Sequence, residues 1–299
     1  MPIHNLTVSL RVAAILVAWA ACVPGVLANA AADPAGDLRA RYTALSQQLE
    51  TSSIQRGLYL DSNDNSRAPR GDAYAVVDYP FATVAAAFDE PANLCESLIL
   101  HLNVQYCQAI ANDAGPQLSA AVGKKTNQPL EDTHRIDFIY KVAASSADYT
   151  RVELSSRDGP FDTANYLIVL ELVALDERRA FLHLRYSYTQ GFLTRWATAA
   201  YFATRGRDKV GFTWIHGEDE APQLVRGIRG ALERNTMRYY LAIDAYLQVL
   251  GSPAPLRFEQ SLELWFADTE RFARQLREVS HDDYITMKRG QHLRQQTLL

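Results

Sequence analysis

The order of segment types constrains this chain more than any single motif. A short alternating segment (DAYAVVDY, from Asp72) runs into an apolar helical stretch (PFATVAAAFDEPANLCESLIL). Several strand-like segments follow, and the series ends in one long amphipathic segment, Arg226 to Leu250 (RGIRGALERNTMRYYLAIDAYLQVL). A final helix of this kind must lie across the open face of the sheet, which is the arrangement of a cavity. The expected fold is α+β, with a curved antiparallel sheet closed by a long C-terminal helix and extra helices at both ends.

Four strands are well marked. In RIDFIYKV, Ile136, Phe138, Tyr140 and Val142 alternate with Asp137 and Lys141, as a half-buried strand requires. YTRVELSSRDGP is a second strand, ending in a turn at Asp158, Gly159 and Pro160. NYLIVLELVAL and RRAFLHLRYSYTQG form a hairpin through Asp176 and Glu177. In the last strand Leu182, Leu184, Tyr186 and Tyr188 share one face, with Phe181, His183, Arg185 and Ser187 on the other. That second face either meets solvent or lines a cavity, where His183 and Arg185 would be polar anchors partnered by Glu153 or Glu171. FLTRWATAAYFATRGRDKVGFTW supplies a short helix and a final strand at Val210 to Trp214.

The closing helix carries the clearest periodicity. Ile228, Leu232, Asn235, Tyr239, Ala242, Tyr246 and Leu250 recur every three or four residues as one face. Asn235 places an amide in that wall, and a buried amide takes a hydrogen bond from protein or from the polar end of a ligand. The charged residues Glu233, Arg234, Arg238 and Asp244 fall elsewhere on the helix and read as surface ion pairs. Upstream, Leu38, Tyr42, Leu45 and Leu49 mark an amphipathic helix acting as tether or lid, and DSNDNSRAPRG (Asp61 to Gly71) reads as the loop before a main domain that begins at Asp72. Residues 31–71 are thus an N-terminal helix and linker, 72–250 the main domain and 251–299 a helical extension. In that extension Phe258, Leu262, Trp265, Thr269, Phe272, Leu276 and Val279 form a stripe for docking on the domain, on a protein partner or on a membrane surface.

Residues 1–30 read as a secretory signal. Val12 to Val23 is an uncharged apolar run after Arg11, broken by Pro24 and Gly25, with Ala28 and Ala30 fitting a small-x-small cleavage site. Cleavage after Ala30 removes one of 30 basic residues and none of the 34 acidic ones, for a net charge of −5, and implies a periplasmic or secreted protein. A nucleic-acid partner is excluded, because such a protein shows a strongly basic face. Cleavage also removes Cys22 and leaves Cys95 and Cys107, which are either a disulfide or two buried thiols.

The strand YAVVDYPF with its following helix, the run of strands and the ERNTMRYYLAIDAYL helix resemble the START-like, or helix-grip, superfamily of lipid and polyketide binding proteins, over roughly Asp72 to Leu250. The resemblance implies an elongated apolar tunnel between the sheet and its last helix. No nucleophile elbow, zinc-protease motif, phosphate loop or dinucleotide fingerprint occurs, and no catalytic residue, cofactor or metal is assigned. Cys107 with His101 or His183 only imitates a thiol and base, and the acidic segment HGEDE (His216 to Glu220) reads as an exposed loop. The favoured expectation is an exported, non-catalytic carrier of a lipid or other apolar small molecule. Ile228, Leu232, Asn235, Tyr239, Ala242 and Tyr246 are its candidate ligand contacts, with His183 and Arg185 as polar ones. Two alternatives stay open: an enzyme of the same fold, cyclase-like or hydrolase-like, working through His183, Arg185 or Glu171, and a helical interaction protein with a filled core.

Overall fold

The elements alternate as their sequences require. Two short helices, α1 (Pro34–Ala44) and α2 (Ser46–Glu50), precede strands β1 (Leu58–Asn63) and β2 (Arg70–Val77). Helices α3 (Phe81–Ala87) and α4 (Pro91–Leu98) lead into β3 (Val104–Asn112), β4 (Gly115–Val122), β5 (His134–Ser145), β6 (Tyr149–Asp158), β7 (Thr163–Ala174) and β8 (Ala180–Gln190). Helix α5 (Phe192–Ala203) and the two-residue strands β9 (Trp214–Ile215) and β10 (Gln223–Leu224) come before the long helix α6 (Gly227–Gln248). Helices α7 (Ala254–Arg271), α8 (Ala273–Leu276) and α9 (His281–Thr297) close the chain. This is a computed structural model that describes residues 1, 33–55, 57–64, 68–113, 115–204, 206–215 and 221–297. The expected leader, its cleavage site after Ala30 and the HGEDE segment lie outside the described residues.

Eight strands form one antiparallel sheet in the order β1-β2-β8-β7-β6-β5-β4-β3. Register breaks at Val104/Tyr106, Val142/Ala144 and Ala164/Leu167 are bulges, which sharpen the bend of a sheet. The sheet curves over α6, so the helix-grip arrangement expected from the sequence is present. Ile136, Phe138 and Tyr140 point inward and are buried, but Val142 is exposed where the bulge after it breaks the alternation. The sheet also starts earlier than Asp72. Leu58 and Leu60 are buried on β1, and the supposed loop gives its first residues to β1 and Arg70 and Gly71 to β2. The final strand expected at Val210 to Trp214 is reduced to β9; Val210 and Phe212 are buried in irregular chain instead.

Both faces of the sheet are covered. On the inner face Leu170, Leu172, Leu182 and Leu184 join Met237, Leu241 and Ala245 of α6 in the main core. On the outer face Tyr74, Tyr149, Val173 and Phe181 pack with Leu38, Leu45 and Leu49. The N-terminal stripe therefore covers the back of the sheet.

Helix α6 is buried nearly all round, which overturns the reading of its charges as surface ion pairs. Glu233 is fully buried, accepting from Ser62 Oγ (2.7 Å) and from the backbone amides of Phe212 (2.6 Å) and Thr213 (2.9 Å). Arg234 and Arg238 are buried and donate to the carbonyls of Val210 and Leu276, both at 3.0 Å. Asp244 is half-buried, and burial together with the charge of Asp268 pushes its carboxyl up to about 6. Strand β1 and residues 210–213 cover Glu233 and Arg234, and the C-terminal extension covers Arg238 and Asp244 by docking on the domain itself: Trp265 of α7 stacks on Tyr284 of α9 at 4.8 Å and donates its indole N–H to the Arg238 carbonyl at 3.2 Å. Helix α9 lies along β3, the sheet edge that would otherwise present unpaired backbone. Gln295 accepts the Cys107 amide at 3.2 Å, and the fully buried Lys288 ammonium donates to the carbonyls of His101 (2.7 Å) and Val104 (2.9 Å).

A candidate ligand-binding cavity

Where β3 to β8 curve away from α6, packing is incomplete and a cavity of about 370 Å³ remains. That volume falls in the range of small-molecule sites. Asn235 and Tyr239 of α6 form one side; Ala120, Ile136, Phe138, Ile168 and Tyr186 of the sheet form the other. Exposed residues, Lys124, Asp132, His134 and Phe161, stand at the mouth. Phe161 holds a left-handed backbone (φ 56°) and is 72% exposed, a costly conformation for an aromatic residue that sets its ring edge-on to His134 at 4.4 Å. A narrow apolar crevice continues past Tyr239 toward Leu94, Val152, Leu154 and Ile243.

Aromatic rings run from wall to wall. Tyr166 stacks on Tyr188 at 5.4 Å, Tyr186 meets Tyr239 at 5.5 Å, and Tyr239 stacks on His101 at 4.4 Å. Burial pushes the phenols of Tyr186 and Tyr239 well above the ordinary tyrosine range, so both are neutral donors, and neither hydroxyl is hydrogen-bonded by another described residue.

The inner end is built around His101. Cys95 of α4 and Cys107 of β3 are disulfide-bonded, with Cα atoms 5.3 Å apart, and the corner between them carries His101 to the cavity. Its Nδ1 accepts the Asn103 amide at 3.1 Å, so the proton resides on Nε2 and is donated to Asn235 Oδ1 at 3.2 Å. Burial, with the charges of Arg238, Lys288 and Lys125 adding to it, holds the imidazole well below its usual pKa, and the ring is neutral. Asn235 spends its carbonyl on His101; its amide N–H groups have no hydrogen-bond partner among the described residues, and the residue lines the cavity.

The structure brings together only part of the set expected from the sequence. Asn235 and Tyr239 line the cavity. Ala242 and Tyr246 are buried in the core, Tyr246 against Phe88 at 6.0 Å, while Ile228 is half-buried near the start of α6 and Leu232 faces a separate hollow. The wall that α6 presents is Asn235, Tyr239 and Ile243, one residue per turn. His183 and Arg185 require a correction: they stand on the outer face, because Leu184 and Tyr186 take the inner positions. There His183 Nε2 lies 2.8 Å from Asp72 Oδ1 and Nδ1 lies 2.8 Å from Glu171 Oε2, and Arg185 donates to Asp72 at 2.7 Å. Glu171 is thus the partner anticipated for His183, while Glu153 bonds Arg151. His101, Tyr166 and Tyr186 were not singled out as ligand contacts. The signal for His101 was a lone imidazole in an apolar run (LILHLNV), which cannot be told from a core histidine without the fold.

No family model matches the chain, and no curated protein matches it in sequence. Among solved structures it is similar to human StAR-related lipid transfer protein 5 (10% identity, 56% of this chain and 89% of that one, TM-score 0.31). It is also similar to truncated norcoclaurine synthase from Thalictrum flavum (11%, 49% and 86%, 0.32) and to the Zhui aromatase/cyclase from Streptomyces sp. R1128 (8%, 68% and 94%, 0.31).

Proposed function

We propose that this chain is an exported, non-catalytic carrier that holds a lipid or other apolar small molecule between the sheet and α6. The observation that carries the reading is the aromatic-lined cavity of about 370 Å³ beside a few unengaged donors, the Asn235 amide and the Tyr186 and Tyr239 hydroxyls. Sites of this composition take their affinity from apolar burial and their orientation from a small number of polar contacts. Export is supported by the leader-like residues 1–30 and by the Cys95–Cys107 disulfide, since such bonds persist in oxidising compartments. Organic extraction of the exported protein, followed by mass spectrometry, tests the carrier role: one apolar compound near one equivalent is expected, and a protein that yields none and takes up none contradicts it. Intact mass of the same material tests export, with a chain starting at Ala31 expected.

One observation favours an enzyme instead, the neutral His101 imidazole in the cavity wall beside the Tyr239 ring. A general base needs a free lone pair directed at the substrate. The His101 lone pair on Nδ1 is occupied by the Asn103 amide, so the ring serves as a donor to Asn235 and the carrier reading is preferred.

A further inference from the structure

Behind Asn235 the molecule has a second hollow, of about 250 Å³, that shares Asn103, Tyr186 and Asn235 with the apolar cavity. Its lining adds cations to aromatic and apolar side chains. Lys125, Lys209, Arg234 and Arg238 converge on it from three separate parts of the chain. Among the described residues a single carboxylate, Glu278, bonds three of the four, with Lys125 at 2.5 Å, Lys209 at 3.0 Å and Arg238 at 3.2 Å. Among the described residues Arg234 hydrogen-bonds the Val210 carbonyl, at 3.0 Å, and feels the charges of Glu278 and Glu233 without a direct ion pair. Four cations against Glu278, with the buried Glu233 behind Arg234, leave an excess of positive charge in a space partly withdrawn from water, where such charge is costly until it is matched. Arg238, only 2% exposed, also has a buried Nε–H with no hydrogen-bond acceptor among the described residues.

Resting on the carrier reading, we propose that this hollow is the headgroup subsite of the same ligand, which is therefore an amphiphile with an oxyanion head, a carboxylate or a phosphate. The apolar part occupies the aromatic cavity, the Asn235 amide and Tyr186 hydroxyl mark the junction, and the head meets Lys125, Lys209 and the two arginines. Burial and the neighbouring Arg238 charge push the Lys125 ammonium down to about 8, the kind of strain that an arriving anion relieves. Charge-assisted hydrogen bonds of this kind are among the strong ones, and arginine suits planar oxyanions.

The test uses the mature chain with the neutral probe N-phenyl-1-naphthylamine bound in the apolar cavity, displaced in turn by dodecanol, dodecanoate and dodecyl phosphate below their micelle concentrations. The anionic amphiphiles are expected to bind at least about tenfold more tightly than dodecanol. In Lys209→Met and Lys125→Met that preference is expected to fall by about threefold or more while dodecanol affinity is unchanged. Equal affinity of the three amphiphiles overturns the headgroup subsite and leaves the carrier reading standing, as does a preference that survives in both variants. Failure of the probe and of dodecanol to bind overturns the carrier reading itself. Inorganic phosphate binding as tightly as dodecyl phosphate shows a free-anion site and overturns the link between the two hollows.

Discussion

His101 and Asn235 hydrogen-bond across the inner end of the cavity, Nε2 to Oδ1 at 3.2 Å, joining the disulfide corner to the closing helix. Removing the acceptor leaves a buried N–H without a partner, which costs about 1–3 kcal/mol. Asn235→Leu should lose that much stability in urea unfolding, and a variant as stable as the parent would show the contact to be idle.

The disulfide closes a short loop between residues separated by 12 in sequence. On the loop-entropy account it contributes about 3 kcal/mol, and opening it frees the corner that carries His101. The double variant Cys95→Ala, Cys107→Ala should lose about that much in equilibrium unfolding and bind the neutral probe more weakly. An unchanged midpoint would mean that α9 holds the corner unaided.

The outer-face network has a definite pH signature. Burial opposes a charge on His183, but the hydrogen bonds it donates to the Asp72 and Glu171 carboxylates outweigh it and raise the pKa above the ordinary 6.5. Its contribution is therefore full below pH 6.5 and lost as pH rises through the folded-state value. For the carboxylates burial again opposes charge, but His183, with Arg185 at Asp72 and Tyr149 at Glu171, lowers both, Glu171 to about 2. Their contributions are full above 3.8 and 4.5 and are lost as pH falls. The stability lost in His183→Gln should thus be greatest between about pH 4.5 and 6.5 and shrink toward pH 9, measured as the parent-minus-variant difference so that His101 cancels. A loss independent of pH contradicts the charged network.

Trp265 is 1% exposed between α6 and α9. Trp265→Ala should destabilise the protein by about 3–5 kcal/mol, as truncations of buried tryptophan do. Truncation after Leu250 should give no folded protein, since Arg238 and the back of α6 would be stripped of cover; a folded truncated domain would show the extension to be an accessory.

The regular part of this architecture was legible because period-two alternation in RIDFIYKV and RRAFLHLRYSYTQG and the long run of α6 are local signals. Helix α9 was not. It buries Lys288, Gln291 and Gln295 through hydrogen bonds alongside Tyr284 and Ile285, so it shows no continuous apolar stripe. The alternation in β8 separated His183 and Arg185 from Leu184 and Tyr186, but which face met the cavity depended on where α1 settled. On α6, residues three and four apart share a broad face, so Ala242 and Tyr246 were indistinguishable from Tyr239 until the sheet fixed the rotation of the helix.

Ala120 and Ala242 are both buried, 3% and 1% exposed, but only Ala120 lines the cavity, so the pair distinguishes a cavity wall from close-packed core. A phenylalanine at a cavity wall fills empty space, whereas in a packed core it costs about 1–3 kcal/mol. The decisive measurement is N-phenyl-1-naphthylamine binding together with thermal unfolding for the parent, Ala120→Phe and Ala242→Phe. The account predicts that the parent binds the probe, that Ala120→Phe keeps its melting temperature but loses binding, and that Ala242→Phe melts lower. Ala120→Phe melting as low as Ala242→Phe, with no probe bound by the parent, would contradict a ligand cavity between the sheet and α6.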